Sequence, residues 1–397
     1  MDLSDNSQGS EEENYGVKFV DEKEEIASLL ATVPALKDLF HLHYKVGEGS
    51  FSSVFLATLK LSNGSKKFAI KHLIPTCHPT RIQRELNCLK QIGGKDHVAG
   101  LELCLRNSGS VVFVMPFMRH DKFPEYVQNM TVSEIKDYMR ALLTALRRVH
   151  QFSIIHRDIK PSNFLYDRSN KRYLLVDFGL AERYKKDANK TGIVKPPIPI
   201  PDPVKRKREM ENSRVSLNTL KKSEEKCYCF GKSRVCSLCL VRPVQTAPRA
   251  GTPGFRAPEV LLKYPAQTPA IDIWASGVIM LSILSGSQPF FRSPDDCTAL
   301  AEIVTLFGSD KMHQCARKLG KKITIAEDIP PVDIINLCKK LRRRGKNLQD
   351  LNLTSEEESL DRKFPAEAFD LLSKLMEVDH RLRITAAQAL NHPFLKL

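Results

Sequence analysis

His156-Arg157-Asp158-Ile159-Lys160-Pro161-Ser162-Asn163, followed by Leu174-Leu175-Val176-Asp177-Phe178-Gly179, is the stretch that decides the fold. It divides two kinds of patterning. Upstream, from about Leu36 to Phe117, short apolar runs alternate with turn signals. Phe51-Ser52-Ser53-Val54-Phe55-Leu56, Phe68-Ala69-Ile70-Lys71 and Val111 to Met115 read as strands, with Asn63-Gly64 as a hairpin turn. One helix interrupts them, predicted by the stripe Ile82, Leu86, Leu89 and Ile92 after Pro79-Thr80. Downstream, apolar residues recur at i, i+3 and i+4 over 134–151, 257–263, 270–285, 295–307, 331–343 and 366–376. A small β-rich part followed by a larger helical part predicts an α+β, two-lobed fold, with an N-lobe over 36–118 and a C-lobe over 119–397.

Composition sets the outer bounds. The chain has 397 residues, 42% apolar and 27% charged, so a sizeable core can form and wholesale disorder is excluded. The 19 glycines follow no period, which excludes a collagen-like chain. A net charge of +15 favours acidic partners without choosing among nucleic acid, anionic membrane and acidic protein. The opening residues lack the basic and apolar regions of a signal peptide. The longest apolar stretch, Ile273 to Gly286, is too short to span a bilayer and reads as a buried helix, so no membrane partner is expected. Residues 1–25 hold nine acids and two lysines, and 1–35 read as an acidic, disordered tail.

Gly47-Glu48-Gly49-Ser50-Phe51-Ser52 ends one strand and opens the next; its glycines let backbone N–H groups approach a phosphate. Alone, the motif also fits an ordinary hairpin. Strand alternation puts Ala69 and Lys71 on one face, with Phe68 and Ile70 on the other. A lysine facing inward needs an anion, and Glu85 lies 14 residues on, in the striped helix. Either charge by itself would read as a solvated surface group.

Taken with Gly251-Thr252-Pro253-Gly254-Phe255-Arg256-Ala257-Pro258-Glu259, with Asp272, Trp274 and Gly277, and with Arg383, these segments resemble the eukaryotic protein kinases over residues 36–396. The resemblance implies ATP and Mg²⁺ and a set of roles. Phosphoryl transfer asks mainly for positioning and charge neutralisation. Lys71, held by Glu85, would grip the ATP phosphates under the loop Gly47–Ser52, where Ser52 takes the place of the usual third glycine. Asn163 and Asp177 would hold Mg²⁺ through oxygen ligands. Asp158 would accept the proton of the attacking hydroxyl, and Lys160 would steady the γ-phosphate. A lysine at that place resembles serine/threonine rather than tyrosine kinases. Val54, Ala69 and Leu165 would sandwich the adenine, with Met115 as gatekeeper before a hinge at Pro116–Met118. Glu259 and Arg383 would form a buried ion pair, and Asp272 would bond the catalytic-loop backbone. Two other classes compete: a non-catalytic scaffold and a basic nucleic-acid binder. Intact Lys71, Asp158, Asn163 and Asp177 speak against the first. The lack of a nucleic-acid fold signature speaks against the second, so direct nucleic-acid binding is not expected.

Residues 182–247 hold 16 Lys and Arg against 7 Asp and Glu, and so supply +9 of the +15. They read as a basic insertion between the last two kinase landmarks of the activation segment. Cys227-x-Cys229 and Cys236-x-x-Cys239 offer four thiolates that can close a tetrahedral Zn²⁺ site, or stand as incidental thiols. The other six cysteines, Cys77, Cys88, Cys104, Cys297, Cys315 and Cys338, are scattered and read as packing residues. The insertion, the quartet and the strings AIKHLIPT and APRAGTPGFRAPEVL resemble the cell-division-cycle-seven kinase family. That resemblance implies a nuclear enzyme activated by a regulatory subunit of the Dbf-four type. It also implies phosphorylation of the minichromosome maintenance helicase at Ser or Thr followed by acidic or phosphorylated residues. Arg249 and Arg256, flanking Thr252, are candidates for selecting that acid, since guanidinium suits carboxylate and phosphate; the competing reading is that they pair internally. Lys205–Arg208 fits a nuclear import signal as well as a solvated loop, and Leu341–Arg344 reads as a solvated helix end.

Overall fold

Alternating side chains build the N-terminal sheet. β1 (Phe40–Gly49), β2 (Ser52–Leu59), β3 (Lys67–Leu73), β4 (Leu103–Asn107) and β5 (Ser110–Pro116) form an antiparallel sheet in the order β1-β2-β3-β5-β4. The computed structural model describes residues 22–49, 52–61, 66–74, 78–107, 109–184, 251–344 and 364–396. These belong to one unit, and 186–247 to a second that lies outside the described residues. The Asn63-Gly64 turn, Ser50, Phe51, Cys77, Lys205–Arg208, Arg249 and the four cysteines of the quartet also lie outside them.

Both faces of the sheet are covered. One carries Phe55, Ala57, Phe68, Ile70, Val112 and Val114 into a core closed by Leu29, Val33 and Leu36. Those three come from α1, residues 22–32, and from α2 (Pro34–Leu39) with its lead-in. The expected disordered tail over 1–35 is therefore corrected for residues 22–35. Ile26, Leu29, Leu30 and Val33 make a helical stripe, and burying it against the sheet outweighs the charge of Glu22, Glu24 and Glu25. The opposite face offers Leu73, Val111 and Phe113 to α3 (Pro79–Ile92), which buries Glu85, Cys88, Leu89 and Ile92.

The C-lobe is helical. After a short helix, α4 (Phe123–Tyr126), α5 (Val132–Gln151) is capped by Thr131, whose hydroxyl accepts from the Glu134 amide at 3.2 Å. Three strand pieces follow: β6 (Ile154–Ile155), β7 (Phe164–Asp167) and β8 (Arg172–Leu175), with β7 and β8 paired and β6 paired to β9 (Glu182–Arg183). β9 thus belongs to the described body, and the insertion is correspondingly shorter at its start than the sequence reading 182–247. Beyond it come α6 (Pro258–Leu261), α7 (Ala270–Ser285), α8 (Asp296–Phe307), α9 (Ser309–Lys318), α10 (Ile334–Arg344), α11 (Ala366–Leu375) and α12 (Ala386–Ala389). From Ile271 to Ser285 every residue of α7 is buried, as its apolar run predicts. No helix of the described residues is long and apolar enough to cross a membrane.

Arg342 departs from the reading of 341–344 as a solvated end, while Arg343 and Arg344 are exposed as expected. Arg342 is half-buried and donates to the carbonyls of Leu284 (2.7 Å), Ile283 and Gln128 (3.2 Å). It therefore satisfies the last carbonyls of α7, a different helix from its own, and stacks on Phe364.

Candidate active site

Strand register places the first catalytic group. β3 pairs with β5 so that Ala69 faces Met115 and Lys71 faces Phe113. Phe68 and Ile70 point into the helix-covered core, so Ala69 and Lys71 point the other way, as alternation requires. Lys71 is only 7% exposed and Glu85 3%. Their ion pair measures 2.5 Å, and Lys71 Nζ also lies 2.9 Å from Asp177 Oδ1. Burial alone would lower the Lys71 ammonium, but Glu85 and Asp177 overcome it and hold the group above its ordinary range. Burial pushes Glu85 up, against the pull of Lys71. Asp177 is held down at about 2: burial opposes this, and the Lys71 charge wins. The lysine is thus a fixed cation between two carboxylates.

The remaining groups converge on Asp158. Pro161–Asn163 forms a short 3₁₀ turn that brings Asn163 back: its Nδ2 donates to the Asp158 carbonyl and to Asp158 Oδ2, both at 2.9 Å. Lys160 Nζ lies 3.0 Å from Asp158 Oδ2. Thr252, from the other end of the activation segment, donates its hydroxyl to Asp158 Oδ1 at 2.7 Å and accepts from Lys160 at 2.9 Å. The loop itself is tied from below. Asp272, 1% exposed, accepts the backbone amides of His156 and Arg157 at 2.8 Å each and lies 2.9 Å from His150 Nε2. His156 Nδ1 accepts the Asp158 amide at 3.3 Å, so its Nε2 carries the proton shared with the Val176 carbonyl at 3.1 Å. Its ring packs on Phe178 at 4.8 Å.

The oxygens left over fit a hard cation. Asp177 Oδ1 takes Lys71 and the Gly179 amide at 3.3 Å. Among the described residues no donor is bonded to Asp177 Oδ2 or to Asn163 Oδ1, and the Asp177 side chain is 42% exposed. These are the residues that would hold Mg²⁺, which when bound neutralises charge on the ATP phosphates.

The residues expected to flank the adenine fall on strands of the five-stranded sheet and of the β7–β8 pair. Val54 pairs with Lys71 across β2 and β3, and Leu165 pairs with Leu174 across β7 and β8. Val54, Ala69, Met115 and Leu165 stay half-buried while their strand neighbours Phe55, Phe68, Val114 and Phe164 are buried. Pro116 is exposed and Met118 buried, while Phe117 donates its amide to the Lys67 carbonyl at 3.1 Å. In the glycine loop, Gly47, Glu48 and Gly49 pair with Val54, Ser53 and Ser52.

Arg256 is not placed to read a substrate. Its guanidinium donates to the Gly251 carbonyl at 2.6 and 3.0 Å and to Asp296 at 2.6 Å, so the internal pairing holds and the selective role is corrected. Glu259 and Arg383 form the expected buried pair, at 2.7 and 3.0 Å. Sequence reading missed the partner of Arg157, which is Glu182 on β9; an acid beside a run of basic residues carries no pattern that singles it out.

A fixed cation, a carboxylate aimed by an amide and a lysine, and free hard oxygens suit transfer of a phosphoryl group to a hydroxyl. Fold and site together define a protein kinase, and the model of the protein kinase domain matches residues 40–198 and 221–395. The chain is similar to the human Cell division cycle 7-related protein kinase, 34% identical over 97% of this chain and 94% of that protein. It is also similar to the Probable cell division control protein 7 homolog 1 of Encephalitozoon cuniculi, 37% identical over 88% of this chain and 90% of that protein. The Cell cycle serine/threonine-protein kinase hsk1 of Schizosaccharomyces pombe is 34% identical over 95% of this chain and 76% of that protein. The chain belongs to the Cdc7 family of serine/threonine protein kinases.

Proposed function

We propose that this kinase works with a regulatory subunit of the Dbf-four type in the nucleus and initiates DNA replication. Its substrate is the minichromosome maintenance helicase, modified at Ser or Thr followed by acidic or phosphorylated residues. The observations that carry the catalytic part are the assembled Lys71–Glu85–Asp177 cluster and the Asp158–Lys160–Asn163 cluster, whose segments are joined by the Val176 amide on the Asn163 carbonyl. Lys71 orients the ATP phosphates, Asp158 takes the hydroxyl proton, Lys160 and Thr252 hold Asp158, and Lys160 steadies the γ-phosphate. The +15 charge supports an acidic substrate, and Arg249 remains the candidate for selecting the acid. The cysteine quartet at 227, 229, 236 and 239 is assigned to Zn²⁺ on its donor chemistry.

The test measures transfer from Mg·ATP to serine peptides with and without a following acid. The purified chain is compared with the chain captured from dividing cells. Preference for the acidic peptide, and activity confined to the captured sample, support the reading. Equal activity of the lone chain contradicts the need for a subunit. Metal analysis of the purified chain should find one zinc per chain, lost on Cys→Ser change at 227 and 239.

A further inference from the structure

Alternation along β1 fails at Tyr44. Phe40 and Leu42 point into the core that α1 closes, so a regular strand would put Tyr44 there next and turn Lys45 away. Instead the pairing of β1 with β2 breaks register between Leu42 and Lys45, and again between Lys45 and Gly47. The two residues exchange faces: Tyr44 is 52% exposed, and the Lys45 side chain only 13%. Leaving an aromatic ring in water while turning a lysine inward costs burial energy, so the bulge needs a return. Lys45 Nζ lies 3.0 Å from Glu25 Oε1 on α1 and 3.1 Å from Glu48 Oε2 in the glycine loop. Burial opposes its charge, but the two carboxylates outweigh that and hold the ammonium above its ordinary range.

The two carboxylates are held differently. Glu25 belongs to a seated helix: Leu29 of α1 is buried in the sheet's core with Ile26 and Leu30 packed beside it, and Asn107 on β4 donates to the Thr32 carbonyl at 2.7 Å. β1 and β4 are the two edges of the sheet, so α1 ties one edge to the other. Glu48 is 71% exposed and sits at the open end of β1, opposite Ser53. Its neighbour Gly47 lies opposite Val54, and Val54 opposite Lys71, which sets this turn in register with the lysine that grips the phosphates. We propose that Lys45 is a positioning residue for ATP: it ties the glycine loop, through Glu48, to Glu25 of α1, so that a helix lying before the matched kinase domain sets where the loop amides meet the phosphates. Either pair alone, with its carboxylate in water, would be worth little; one nearly buried ammonium shared by both makes them a single link.

The test uses the full chain captured with its cellular partners and measures KM for ATP, kcat and thermal melting. Wild type, Lys45→Met, Glu25→Gln and the double variant are compared. Lys45→Met should raise KM for ATP about fivefold, or about 1 kcal/mol, with kcat changed less than about twofold. Glu25→Gln should raise it about threefold, and the double variant should go no further than Lys45→Met alone, because the two residues act as one link. The gap between wild type and Lys45→Met should narrow as salt rises to about 0.5 M, since the link is ionic and half in water. Should Lys45→Met fail to fold, Glu25→Gln, changed at a 44% exposed side chain, carries the same test. A folded variant at either position with unchanged KM for ATP overturns the proposal, as do losses that simply add. Lowered melting with unchanged KM assigns Lys45 to stability alone and overturns it too. Failure of the kinase assignment would show instead as no transfer by wild type.

Discussion

Two buried ion pairs, one in each lobe, are built from similar groups and do different work. Arg383 and Glu259 are fully buried and saturated. Besides the two bonds to Glu259, Arg383 donates to the carbonyls of Glu377 (2.7 Å), Ala270 (2.7 Å) and Val378 (3.3 Å), and lies over Trp274. No donor faces an opening, so the pair can only hold α6 to the end of the chain. Lys71 and Glu85 are as well buried, but their lysine is shared with Asp177, whose carboxylate stays half open. The difference teaches that burial alone does not mark a site; a buried charge whose partner set is incomplete on one side does.

The largest expected effect falls on the saturated pair. Glu259→Ala strands the Arg383 charge and should destabilise the fold by about 3–5 kcal/mol, read as a lower urea midpoint. Replacing both by apolar residues should recover much of that loss. Glu85→Gln should do the reverse: kcat falls by about 10²-fold as Lys71 loses its orientation, while the urea midpoint changes far less. Equal stability losses in the two variants would break the comparison.

Acid sharpens it. Asp379 is held below the ordinary carboxylate range by its bonds to Arg381 and Lys318. A depressed folded value means stability that is present above the unfolded value of about 4 and lost as pH falls through the folded one. The gap in urea midpoint between wild type and Asp379→Asn should therefore shrink as pH falls below about 4. A gap that persists there assigns the contribution to packing instead. The smallest effect concerns thiols. Burial pushes Cys88 and Cys315 up to about 11 and Cys338 to about 12, while Cys297 is exposed. Of these four, alkylation at pH 8 followed by peptide mass mapping should label Cys297 first.

Much of this was legible in the residues. Lys71, Glu85, Asp158, Asn163, Asp177, Asp272, Glu259 and Arg383 all fall where the motifs place them, because short-range spacing and strand alternation survive folding. Three things were not. The stripe in residues 22–35 was hidden by the acids around it, since composition averages over a face that only packing separates. Helix Ser309–Lys318 buries Met312, Cys315 and Ala316 yet is mostly polar, too weak a pattern to stand out. The bonds of Arg256 to Asp296 and of Arg157 to Glu182 join residues 40 and 25 apart, and no local pattern announces such partners.

The most direct measurement is phosphate transfer from Mg·ATP by the full chain captured from dividing cells, set beside Asp158→Asn captured in the same way, with ATP binding measured in both. The structure predicts equal ATP binding and a loss of transfer of about 10²–10⁴-fold in Asp158→Asn. Transfer that survives the substitution would contradict the assignment of Asp158 as the base, and with it the site described above.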